Sequence, residues 1–80
     1  MSNQFAISYF TDTGKFIYQK FDSVELRDEM FKASIKDLMN GIIHMPEAYI
    51  GVSPTSRELV LFSDKIIFFV PGYITESDLV

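Results

Sequence analysis

Apolar positions crowd two short runs near the start of the chain, residues 4–10 (QFAISYF) and 15–21 (KFIYQKF), with few polar residues among them. Both runs are rich in the aromatic and β-branched types that strands favour. Between them Thr11-Asp12-Thr13-Gly14 offers an Asp that closes a side-chain turn and a Gly that accepts positive φ. The pattern predicts a β-hairpin over residues 4–21. The period then changes from two to about 3.6. A helix is expected over 23–40, with Asp22 and Glu25 at capping-box spacing, Ser23 as the alternative cap, and Asn40-Gly41 as the stop.

On a wheel of about 100° per residue, Val24, Phe31, Ile35, Leu38 and Met39 form one stripe, expected to face the core. Leu26, Met30 and Ala33, joined by Asp37, form a second and smaller stripe that a single helix on a sheet does not need. Glu25, Glu29, Lys32 and Lys36 share a flank. Beyond the helix, residues 42–47 read as a connection with room for a short extended segment before Pro46. Strands are expected at 48–53, 58–63 and 65–70, the last ended by Pro71-Gly72, followed by a loosely held tail, 73–80. The expected fold is α+β, a single domain in the order ββαβββ: an antiparallel sheet of four or five strands with one amphipathic helix packed on one face.

The strands do not alternate cleanly. An antiparallel sheet with one wet face shows apolar residues on one side only. Here Phe10 opposes Phe5, Ile7 and Tyr9 across the first strand, and Ile67 and Phe69 oppose Ile66, Phe68 and Val70 in the last. One helix covers only part of one face, and each apolar side chain left uncovered forgoes burial at ~25 cal/mol per Å². A homodimer is the leading remedy, with curling of the sheet and a dedicated hetero-partner as the others.

Composition adds limits rather than a function. Of 80 residues, 48% are hydrophobic and 15% aromatic, while seven basic against eleven acidic residues give a net charge of −4. The basic residues are scattered singly, which disfavours direct nucleic-acid binding. The absence of cysteine removes thiolate metal sites and Cys nucleophiles. No signal-like start and no long apolar run is present, so a cytoplasmic location and no membrane contact are expected. His44 is the one histidine, with Glu47 its nearest carboxylate in sequence, and it reads as a loop residue rather than a base or ligand. No catalytic residue, metal or cofactor is assigned.

The reading that results is a small non-enzymatic protein-binding module of inhibitor or accessory type, in a style shared with small proteins of phages and mobile elements. Its contact surface would comprise Leu26, Met30 and Ala33 together with Ile67 and Phe69, with Glu25 and Glu29 steering a basic partner. The alternatives are a small-molecule-binding dimer whose pocket uses Tyr9, Tyr18, His44 and Tyr49, and an acidic nucleic-acid mimic.

Overall fold

The computed structural model describes residues 4–74. Its elements follow the expected order: β1 (Gln4–Thr11), β2 (Phe16–Phe21), α1 (Val24–Met39), β3 (Ile42–Ile50), β4 (Arg57–Phe62) and β5 (Ile66–Ile74). All five strands form one antiparallel sheet in the order β4-β3-β2-β1-β5, with α1 against one face. The hairpin turn is as expected, Gly14 taking φ +83° while its N–H donates to the Thr11 carbonyl at 3.0 Å. Ser23, rather than Asp22, caps α1: its Oγ accepts from the Leu26 N–H at 3.1 Å. At the other end Gly41 turns at φ +99°.

Two strands differ from expectation by more than a residue. β3 spans Ile42–Ile50 instead of 48–53, running through Pro46 and ending before the turn at Gly51. Its register against β4 shifts between Met45 and Ala48, so Pro46 and Glu47 form a bulge. The extra residue has a clear purpose. Ile43, Met45 and Ala48 are all buried and Ile50 packs against them, a spacing of 2, 3, 2 that unbroken alternation cannot place on one face. Likewise β5 continues through Pro71 to Ile74. As an edge strand it tolerates a residue without N–H. Tyr73 and Ile74 of the expected tail therefore belong to the sheet, and residues 75–80 lie outside the described part.

The two edge strands, β4 and β5, are joined by a 3-10 turn of three residues, Ser63–Lys65. Four strand spacings in a flat sheet would set the edges ~19 Å apart. The chain from Phe62 to Ile66 spans at most about 14 Å. The sheet must curl. The turn is held on both sides: the Asp12 N–H donates to the Lys65 carbonyl and the Ser63 N–H to that of Gly41, each at 2.9 Å, while Ser63 Oγ donates to the Leu38 carbonyl at 2.6 Å.

Helix α1 lies on the concave side. The core there is Ile7, Tyr9, Ile17, Ile43, Met45 and Ala48, with Phe31, Leu38 and Phe69 packed against it. Of the stripe expected to face the core, Phe31 and Leu38 pack against it, whereas Ile35 is exposed and Met39 is 82% exposed. The inward positions are Arg27, Phe31, Ser34 and Leu38, a rotation of about 50° at ~100° per residue. The second stripe and the outer half of the first therefore flank the contact, and the polar groups of Arg27 and Ser34 lie along its centre.

That centre is satisfied internally. The Tyr9 hydroxyl donates to Gln19 Oε1 at 2.7 Å and meets Ser34 Oγ at 2.9 Å, while Ser34 Oγ donates to the Met30 carbonyl at 2.8 Å. Tyr9 is fully buried, and Gln19 and Ser34 nearly so. Burial pushes the Tyr9 phenol up to about 12, with Asp37 adding to the rise and the Ser34 hydrogen bond opposing it.

The unfolded chain releases this proton near pH 10 and the folded chain near 12. Stability from Tyr9 is thus whole below pH 10 and falls as pH rises toward 12, by up to about 2–3 kcal/mol. Tyr9→Phe is expected to cost about 1–3 kcal/mol at neutral pH, because Gln19 and Ser34 lose a buried partner. The same variant should show a shallower alkaline decline in urea midpoints. An undiminished decline would place the alkaline sensitivity in other groups.

Candidate binding surface

Register fixes what the convex side of the sheet presents. Phe10 pairs with Phe16 on β2 and Phe68 on β5, Ser8 with Tyr18 and Val70, and Ala6 with Lys20 and Gly72. Three rows result, from all-phenylalanine at the hairpin end, through Val70–Ser8–Tyr18, to Gly72–Ala6–Lys20. Tyr49 of β3 extends the middle row, opposite Tyr18.

The first row is a continuous aromatic ridge. Phe10 lies 4.8 Å from Phe16 and 5.2 Å from Phe68 between ring centroids, and Phe16 lies 6.2 Å from Tyr18 and 6.4 Å from Phe68. These are favourable offset and tilted geometries, yet water still reaches the ridge. Phe16 is 38% exposed, Phe68 46% and Val70 47%. On β3, β2, β1 and β5 the only charged side chain in these rows is Lys20, whose ammonium sits 3.9 Å over the Tyr49 ring. On the β3–β4 ribbon the same side carries Ile42, Val60 and Phe62, all exposed, beside His44. His44 Nε2 meets Glu58 Oε2 at 2.6 Å, so its carboxylate partner is across the strand pair and not the nearby Glu47.

The residues singled out from sequence do not form one surface. Leu26 and Met30 are exposed and line a groove of about 300 Å³ with Phe21, Pro46 and Glu47, between α1 and the β3 bulge. Ala33 is half-buried on the same side of the helix, and Glu25 and Glu29 are exposed on its flank. Ile67 is exposed at the shift in the β1–β5 register. Phe69 is on the other side of the sheet, stacked on Tyr9 at 5.5 Å and against Phe31 at 5.3 Å. An exposed patch of Ile67 with Phe69 is thereby corrected: the exposed phenylalanine of β5 is Phe68. Tyr9, Tyr18, His44 and Tyr49 do not converge on a pocket either, since Tyr9 is in the core and His44 is paired with Glu58. A shallow apolar hollow of about 240 Å³ lies instead where the sheet curls, over Ile17, Ile50 and Leu61.

Sequence reasoning also passed over Arg27, read only as a scattered base. Its side chain is 12% exposed. Nη1 donates to the Gly72 carbonyl at 2.9 Å, and the guanidinium lies 5.7 Å from the Phe5 ring and 5.6 Å from that of Tyr73. It ties α1 to β5. The one available signal was position: Arg27 sits one turn before Phe31 and two before Ser34.

Among the described residues no cluster of three or more His, Asp or Glu side chains is placed to hold a metal ion, and no helix is long and apolar enough to cross a membrane. Compared with known proteins, the chain matches no protein-family model, no curated protein and no solved structure.

Arg27→Ala should lower stability by about 1–2 kcal/mol through the lost carbonyl bond and ring stacking. Arg27→Lys should restore little of it, because an ammonium cannot lie flat on two rings while reaching Gly72. Thermal melts of the two variants against the parent check this, and full recovery by lysine would mean that charge alone matters.

Proposed function

We propose that this chain is a non-enzymatic protein-binding module whose principal contact surface is the convex face of its sheet. The observation that carries the reading is the ridge of Phe10, Phe16 and Phe68, continued by Tyr18 and Val70, open to water on the side away from the helix. Exposed apolar patches of this kind mark association surfaces on soluble proteins. Aromatic residues dominate the energetics of such surfaces because each covers a large area with few rotamers to fix. The buried polar groups support the reading from the other direction. Tyr9, whose phenol burial pushes up to about 12, is enclosed in the core, where its hydroxyl donates to Gln19 on the sheet and lies against Ser34 of the helix.

The groove at Leu26 and Met30 is a second, smaller contact. Glu25 and Glu29 beside it give that side an acidic character suited to approach by a basic segment. This keeps the inhibitor or accessory role, exerted by covering a surface of another protein, as the kind of activity proposed.

Phe16→Glu and Phe68→Glu should each leave the chain folded, as read by circular dichroism, since neither side chain belongs to the core on the helix side. Each should also abolish association with proteins that co-purify with the tagged chain. Ile35→Glu, on the outward helix surface, should change neither. If both sheet variants are folded and retain every co-purifying protein, the convex face is not the contact surface.

A further inference from the structure

We infer that the convex face is covered by a second copy of this chain, packed face to face about a two-fold axis. The inference rests on the protein-binding reading above and names the occupant of that same face.

Edge-to-edge pairing is the other way in which a sheet of this kind could join its copy, and β5 is badly suited to it. The strand is interrupted by the register shift at Ile67 and by Pro71, and the Gly72 carbonyl is already taken by Arg27. Bulges and prolines are the usual means of blunting an edge. The other edge, β4, is six residues long and opens on Arg57 and Glu58, charges that blunt an edge in the same way, which leaves the face.

Charge then selects the occupant. The molecule carries a net charge of −4. Two such copies repel wherever acidic surfaces meet, yet the convex rows of β2, β1 and β5 hold no carboxylate among the described residues; Asp22 and Glu47 border Lys20 and Tyr49 at one margin, and Glu58 is held by His44 on the β3–β4 ribbon. A strongly charged partner gains nothing from such a face. An apolar and neutral partner does, and this face is itself one.

Relief supplies the complementarity. The rows run from Phe68–Phe10–Phe16, through Val70–Ser8–Tyr18, to Gly72–Ala6–Lys20, low at Gly72 and Ala6 and cationic at Lys20. A two-fold axis near Ser8 sets Phe68 and Phe10 of one copy over the Gly72–Ala6 side of its partner's far row and Phe16 beside Lys20, and the reverse, as an isologous contact requires. Sheets packed this way lie ~10 Å apart with interleaved side chains. Four strands at ~4.8 Å and six residues at ~3.3 Å give a face on the order of 400 Å² in projection. Two such faces bury on the order of 800 Å² in total, the size of a weak and transient contact, so dissociation in the micromolar range or above is expected.

Solution mass should be followed by sedimentation or light scattering across a dilution series from millimolar to sub-micromolar protein. The expected result is a shift from twice 9.2 kDa to 9.2 kDa as the protein is diluted. Phe16→Glu, Phe68→Glu and Ser8→Lys should each weaken the dimer at least about thirtyfold. Ile35→Glu, on the outward surface of the helix, should leave it unchanged. Circular dichroism confirms that each variant is folded. A parent that stays monomeric at millimolar concentration overturns the dimer while leaving the protein-binding reading with another occupant of the face. A dimer that persists in all three sheet variants overturns both, because the contact then lies elsewhere.

Discussion

The structure depends on a short tether. Three residues, Ser63–Lys65, must join the two outermost strands of a five-stranded sheet. A flat sheet cannot satisfy that distance, so curvature is built into the connectivity. Curvature makes the two faces unequal. The concave face wraps a helix of sixteen residues and becomes the core, and among the described residues no element covers the convex face. The bulge at Pro46–Glu47 follows from the same demand, since β3 must bend to pair with β2 at one end and β4 along the rest while keeping its apolar side inward.

Curvature also accounts for the helix having two apolar stripes. A helix on a flat sheet needs one contact line. A helix held in a trough meets walls on both sides, so Leu26 and Met30 lean toward β2 and β3 while Phe31 reaches Phe69 on β5. The line between the stripes carries Arg27 and Ser34, polar groups that would be costly if unmatched. They are matched by Gly72, and by Tyr9 together with Gln19. Such a polar seam admits one rotation of the helix, because turning it by a residue would strand buried donors and acceptors.

Much of this was legible from local chemistry. The hairpin followed from two runs of aromatic and β-branched residues around a Gly that accepts positive φ, and the helix from its period and from Asn40-Gly41. What the sequence concealed was non-local. Proline looked like a terminator at positions 46 and 71, and at both it lies within a strand because one is a bulge and the other an edge. The helix rotation could not be read from a wheel, since hydrophobicity marked Ile35 and Met39 inward while a serine and an arginine held the central line. The exposed surface was found only by half. Two-sided apolar strands were visible, but which phenylalanine of Phe68-Phe69 faces water depends on the shift at Ile67, a property of pairing and not of composition.

That shift bears on how the convex face came to be coherent. One additional residue in β5 lets Ile66 join the core with Phe69 while Phe68 and Val70 fall into line with Phe10 and Ser8 on the other side. Without it, strict alternation would bring Ile66 to the face of Phe68 and break either the core or the ridge. The bulge thus serves two surfaces at once. A chain that merely tolerated stray apolar residues on its outside would have no need to align them. Here three phenylalanines from three strands are brought within 4.8–6.4 Å of one another on the open side, with the nearest carboxylates kept off those rows. Such alignment is what an interface demands and what solubility alone would select against.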